Sequence, residues 1–328
     1  MRIGCLGAAR IAPIALIYPV KVRGGAVLQA IAARDPARAE AFAAEQGFKR
    51  AARSYDELIA ADDVELVYNA LPIHLHAAWS IKALEAGKHV LCEKPFAMNA
   101  GEAEAVLAAA QASGRRVIEA FHYRYHPAFR QLLAWIAAGE IGKVTAIDAR
   151  FNAGIPDHDG TEIRHLPETG GGAFMDLGCY PLSWTLSILG ADPATVTAAA
   201  TLTPRGVDES ISAELAFGGG VLAKLSADMA LGQRFAASLT VTGETGVISF
   251  LNPLAPQMGA RLTLEAGGRA ERAPISRIST YAYQLDAVLS ALETGEALPT
   301  EGEAILRQQR ALDRIYEAAG LRHLRYRG

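Results

Sequence analysis

Four groups of residues in this chain have types and spacings that chemistry could use. An apolar run, His89 to Cys92, ends directly in Glu93, Lys94 and Pro95, so a fixed ammonium stands at the end of a short strand. Such a charge marks either a surface or a site. Further on, Asp176 and Tyr180 lie four residues apart in a stretch opened by Gly170, Gly171 and Gly172, a spacing that puts two side chains on one helical face. Pro181 lacks the amide that a regular helix needs, which predicts a kink or irregular turn near Tyr180. Near the N-terminus, Gly7, Ala9 and Ala12 fill the three positions of the fingerprint that holds a dinucleotide pyrophosphate at a helix start. Gly7 permits the tight turn, Ala9 admits close backbone approach, and Ala12 lets helix and strand pack closely. Arg10 and Ile11 complete that turn. Beyond the second strand, after Ala33, Arg34 stands where an acid would bind the ribose hydroxyls of NAD, and its guanidinium suits a 2'-phosphate instead. NADP(H) is therefore the expected cofactor, with NAD as the alternative.

These residues need a scaffold, and the pattern of the chain supplies one. Through about residue 121, short β-branched runs (2–6, 26–32, 64–70, 89–92, 116–121) alternate with Ala-rich helical stretches, the grammar of a parallel sheet with crossover helices. Asp35 with Pro36, Ser54 with Glu57, and Asn99 with Glu102 read as helix starts; Gly47, Gly87 and Gly114 read as stops. After residue 122 the pattern changes to a helix near 126–138, a strand at 143–151 and a helix over 173–189. Strand-like segments follow at 194–203, 209–217, 221–230, 234–241, 247–251 and 260–265, and helices over 279–294 and 301–319 close the chain. The expected fold is α/β: a Rossmann dinucleotide-binding domain over 1–121 and an α+β domain over 122–328 with a large open, mostly antiparallel sheet. The last helices are free to pack back on the first domain. An open sheet face needs cover, which predicts a homodimer or homotetramer through that sheet.

Composition narrows the functional classes. The chain has 328 residues, 51% hydrophobic, and a formal net charge of only −3. Nothing in that balance calls for a nucleic acid or an acidic membrane surface as partner. Cys5, Cys92 and Cys179 are far apart with no metal-binding spacing, which fits a reducing compartment, and the expected location is the cytoplasm. His158, between Asp157 and Asp159, lacks a second ligand motif and reads as a loop contact without metal.

The combination of GAARIA at the start, Glu93-Lys94-Pro95, EAFHYRYHP (119–127), GGGAFMDLGCYP and GVDES (206–210) resembles the glucose-fructose oxidoreductase / inositol dehydrogenase / MocA (Gfo/Idh/MocA) oxidoreductases over nearly the whole chain. Many members carry a His where Tyr180 stands. The departure resembles the branch of glucose-fructose oxidoreductase, NADP-dependent xylose dehydrogenases and dimeric dihydrodiol dehydrogenases. That resemblance implies hydride transfer between nicotinamide and a sugar or cyclic polyol hydroxyl, with Tyr180 as acid/base and Lys94 as its electrostatic partner. It implies that Asp176 orients the sugar or Lys94, and that Glu93 holds Lys94 or caps the following turn. Asn69, Leu71 and Pro72 are expected to touch the nicotinamide half, with His76 facing inward. His122, Arg124, His158 and Arg164 are the remaining substrate-side candidates, the two arginines either lining the cleft or pairing structurally. Two alternatives stay open: a permanently held NADP(H) that shuttles between two sugars, and a dinucleotide-binding regulator without chemistry.

Overall fold

The computed structural model describes residues 1–326 and resolves the chain into two compact units, Met1–Arg124 with Ser279–Leu306, and Tyr125–Ile278 with the residues from Arg307 onward. In the first, a six-stranded parallel sheet has the order β3-β2-β1-β4-β5-β6: β1 (Arg2–Leu6), β2 (Val27–Ala32), β3 (Arg50–Ala51), β4 (Leu66–Asn69), β5 (His89–Cys92) and β6 (Val117–Glu119). This is the doubly wound order of a Rossmann domain. Helices α1 (Tyr18–Arg23), α2 (Pro36–Gln46), α3 (Tyr55–Ala60), α4 (His76–Glu85) and α5 (Ala100–Ser113) connect the strands. The start and stop signals act as read: Asp35 accepts from the Ala37 amide, Ser54 from Glu57 and Asn99 from Glu102, while Gly47 and Gly114 take left-handed conformations. A strand buried on both faces is mostly apolar, and β4 is buried at all four positions, with the polar Asn69 at its carboxyl end.

The division between the units falls after Arg124, and the chain later returns to the first unit. Helix α8 (Thr280–Thr294) belongs to the first unit, because Leu285 and Val288 join the core formed by Ile3, Leu16, Ile31 and Tyr68 on one face of the sheet. Ile305 closes the core on the other face. Arg116 locks this return segment with three bonds from its guanidinium to Glu301, at 2.7, 2.8 and 3.1 Å.

The second unit holds an eight-stranded sheet of order β14-β13-β12-β11-β7-β10-β9-β8. Its strands are β7 (Val144–Asn152), β8 (Thr195–Leu202), β9 (Asp208–Ala216), β10 (Leu222–Asp228), β11 (Ala236–Gly243), β12 (Gly246–Leu251), β13 (Arg261–Ala266) and β14 (Arg269–Arg272). All pairings are antiparallel except β7 with β10. Alternation is clean: Ile147, Ala149 and Phe151 are buried while Asp148 and Arg150 are exposed. Helices α6 (Pro127–Ala137) and α7 (Cys179–Leu189), most of α9 (Glu303–Ala318) and the short α10 (Arg322–Arg325) complete this unit. The sequence pattern missed β3 and β14, which are short and carry no apolar alternation to reveal them.

Candidate active site

Because all six strands of the first sheet are parallel, every carboxyl end opens on one edge, the place where nucleotide ligands bind in such sheets. The predicted cofactor residues and Lys94 all fall along it. Gly7, just past β1, has φ +98°, and a Cβ there would come within 3.2 Å of the Ala70 carbonyl oxygen, so only glycine fits. Ala12 is fully buried, as close packing of helix on strand requires. The turn between them leaves the amides of Ala9 and Ile11 without an acceptor among the described residues, next to helical backbone that runs on through Pro13–Ile17 as a π-turn into α1. A pyrophosphate fits that pair of donors, so these residues are suited to hold a dinucleotide.

Beyond β2, Arg34 is exposed and Asp35 is occupied as a cap. A residue the sequence reading passed over, Arg38, reaches back to the Ala8 carbonyl at 2.8 Å. Burial raises the pKa of the Tyr55 phenol, and the charges of Arg34 and Arg38 oppose that rise, so two guanidiniums and one hydroxyl gather where an adenosine ribose would end. Arg38 was hidden because it lies one helical turn past the strand end, where a charge reads as a solvated helix face.

The end of β4 is built from internal bonds. The Asn69 amide donates to the His76 carbonyl at 3.1 Å and to Ser80 Oγ at 3.0 Å. The His76 ring lies between the carbonyls of Leu71 (2.7 Å from Nε2) and Pro95 (3.0 Å from Nδ1). Burial pulls its pKa down to about 4, so the ring is neutral at ordinary pH. His76 is buried with each ring nitrogen facing a main-chain carbonyl, and the neutral ring donates to one of the two. Its side chain lies between the loop after β4 and the turn carrying Lys94.

Lys94 follows β5 and is half-buried, with a cis bond to Pro95. Beneath it Glu93 is buried, accepting from the Tyr68 hydroxyl at 2.6 Å, and its second oxygen lies 3.3 Å from the Lys94 amide. Glu93 thus meets the backbone of Lys94. His122, expected on the substrate side, is buried with Nδ1 2.8 Å from Thr280 Oγ1 and its ring stacked on Tyr281, which fixes it inside the first unit. Arg124 is half-buried.

His158, Arg164, Asp176 and Tyr180 belong to the second unit. The glycine-opened segment passes through a π-turn at Phe174–Gly178 before α7, the irregularity expected beside Pro181. Gly172 has φ +130°, and a Cβ there would sit 2.1 Å from Asp208 Oδ1. Asp208, the acid of GVDES, explains that crowding. Fully buried, it accepts from the Phe174 amide at 2.7 Å and the Tyr316 hydroxyl at 2.8 Å, pinning the entry to the segment that bears Asp176 and Tyr180. Tyr180 is 5% exposed, with its ring edge-on to Phe151. Arg164 grips Glu162 through two bonds and lies 3.6 Å from Asp176 Oδ2. His158 is exposed, and no group of three or more His, Cys, Asp or Glu side chains among the described residues could hold a metal ion.

Comparison with known proteins agrees with this architecture. Residues 1–121 match the family model described as "Oxidoreductase family, NAD-binding Rossmann fold", and residues 129–249 match the "GFO/IDH/MocA C-terminal domain". An uncharacterized oxidoreductase of Rhizobium meliloti is 36% identical over 327 residues, covering 97% of each chain. A D-xylose 1-dehydrogenase (NADP(+)) of Haloferax volcanii is 33% identical over 320 residues, again covering 97% of each. A crystal structure of a 3-ketoreductase from Actinomadura kijaniata with NADP and TDP-benzene superposes with a TM-score of 0.88 at 30% identity, covering 97% of both chains. With a dinucleotide turn at one end of the chain and these matches along its length, the protein belongs to the Gfo/Idh/MocA oxidoreductases and is an NAD(P)-dependent enzyme acting on CH–OH groups.

Proposed function

We propose that this enzyme transfers hydride between NADP(H) and a ring hydroxyl of a sugar or cyclic polyol, with Lys94, Tyr180 and Asp176 as its catalytic residues. The observation that carries the proposal is Lys94 itself, a lysine whose backbone amide meets the buried Glu93 at the carboxyl edge of a Rossmann sheet. The preference for NADP(H) rests on Arg34 and Arg38, which supply positive charge where an acid would select NAD. The relative from Haloferax volcanii is named for D-xylose and NADP(+), which places an aldose first among substrates to try.

Oxidising CH–OH to C=O removes a hydride from carbon and a proton from oxygen. When bound, the nicotinamide supplies the hydride acceptor. The proton is left to the protein. Tyr180 takes it as general base and returns it in the reducing direction. A phenol with a pKa near ~10 is a weak base at neutral pH, and the Lys94 ammonium favours both the phenolate and the developing alkoxide. Asp176, held from behind by Arg164, accepts hydrogen bonds from neighbouring hydroxyls and sets which carbon is presented.

The exposed face of the eight-stranded sheet has the character of a self-association surface. Across β9, β10, β7 and β11 runs a row of Glu214, Lys224, Asp148 and Thr240, and beside it a row of Ser212, Ser226, Arg150 and Ser238. Alternating charges set among small side chains can complement a second copy related by a two-fold axis.

A screen of NADP+ and NAD+ reduction over aldoses, polyols and dihydrodiols, beginning with D-xylose and D-glucose, tests the function. The expected result is a substrate oxidised with NADP+ at a kcat/KM at least about tenfold above NAD+, a margin equal to ~1.4 kcal/mol. Failure of every ring hydroxyl with either cofactor would remove this substrate class.

A further inference from the structure

Glu119 ends β6, directly beside Cys92 in the parallel register and next to the strand end that delivers Lys94. It is 2% exposed. One carboxyl oxygen accepts from the Phe96 amide at 3.0 Å, two residues beyond Lys94. The charged and titratable groups facing it are Glu93 and Lys94 from the end of β5 and the Cys92 thiol on β5. From the segment preceding α9, the Thr300 carbonyl accepts the Glu119 amide, a neutral contact. Glu93 and Glu119 are thus two buried carboxyl groups close enough to feel each other and Lys94, and both cannot ionise cheaply.

We propose that Glu119 is the positioning residue for Lys94: it pins the chain just beyond Pro95 and, remaining neutral, leaves the ammonium its full charge for the reaction. The division of labour follows from the bonds. Glu93 accepts from the Tyr68 hydroxyl and meets the Lys94 amide, while Glu119 has a single amide donor and is the member that holds the proton. Burial first, and then the repulsion of Glu93, pushes the Glu119 carboxyl up to about 8, against the pull of the Phe96 amide and Lys94. Below that pH the carboxyl is neutral. Above it a second carboxylate counters Lys94, and the ammonium loses its hold on the phenolate and alkoxide. The consequence is an alkaline fall in turnover that originates at a residue remote from the substrate oxygen.

This inference rests on the proposed role of Lys94, and two readouts keep the two claims separate. The first is the pH profile of kcat for the parent, Glu119→Gln and Glu119→Ala. Glutamine retains an acceptor for the Phe96 amide and mimics the neutral acid, so Glu119→Gln is expected to stay within about threefold of the parent at pH 7 and to lose the fall that begins near pH 8. Glu119→Ala is expected to lose turnover by about tenfold or more at every pH, with glutamine restoring it. The second is the carboxyl 13C titration of Glu119, assigned by its disappearance in Glu119→Gln, which needs neither substrate nor cofactor. It should titrate far above the ordinary carboxylate range. An alkaline fall unchanged in Glu119→Gln, or a Glu119 carboxyl that titrates near ~4.3, would overturn the proposal. Absence of any turnover in the parent would instead count against the proposed reaction, and the titration would still decide the state of Glu119.

Discussion

The ammonium of Lys94 is a common side chain placed by uncommon means. A lysine on a flexible four-carbon stem has to be held at its backbone to act reproducibly. Here Glu93 meets its amide, Glu119 meets the amide two residues on, and His76 reaches the carbonyl between them. The Glu-Lys-Pro motif was legible because charge directly after an apolar strand is anomalous. Glu119, His76 and Asp208 were harder to read, since a buried acid or imidazole declares its partners only when the strands are side by side. The cofactor end divides similarly. Arg34 could be read from its position after β2, whereas Arg38 emerges through its reach to the Ala8 carbonyl. Replacing either arginine with alanine should raise KM for NADP+ by about tenfold, as expected for a lost charge-assisted bond of ~1.5–3 kcal/mol. KM for NAD+ should stay where it was. Equal increases for both cofactors would mean that these side chains shape the turn and do not read the phosphate.

Among the elements, strands with two-residue alternation or wholly apolar runs could be placed within a residue or two, because burial dictates both patterns. The pair β3 and β14 escaped because Arg50–Ala51 and Arg269–Arg272 owe their pairing to neighbours rather than to their own composition. The turn at Phe174–Gly178 followed from Pro181, but its anchoring by Asp208 and Tyr316 joins segments more than a hundred residues apart in sequence and had no local signature. The eight-stranded sheet carries a prediction of its own. If its charged and small-residue face is covered by a second copy, light scattering should give at least twice the chain mass. Ser226→Arg, at the middle of that face, should yield a folded monomer with unchanged secondary structure. A parent chain that is monomeric at all accessible concentrations would contradict that reading.

At the level of the whole molecule, the chain crosses between its two units more than once: residues 279–306 return to the Rossmann core before α9 runs on into the second unit. No helix among the described residues is long and apolar enough to cross a membrane. The cofactor candidates and Lys94 lie in one unit, and Asp176 and Tyr180 in the other, so the proposed chemistry requires the whole chain. The central claim is that Lys94 and Tyr180 handle the proton of a single hydride transfer. Its most direct test is turnover of Lys94→Ala and Tyr180→Phe with the best substrate of the screen, alongside NADPH affinity measured by fluorescence. Each substitution should lower kcat by about 10²–10⁴, the range for loss of a general acid or base, while NADPH affinity stays within about threefold. A Tyr180→Phe enzyme that turns over within tenfold of the parent would contradict the account and move the base elsewhere.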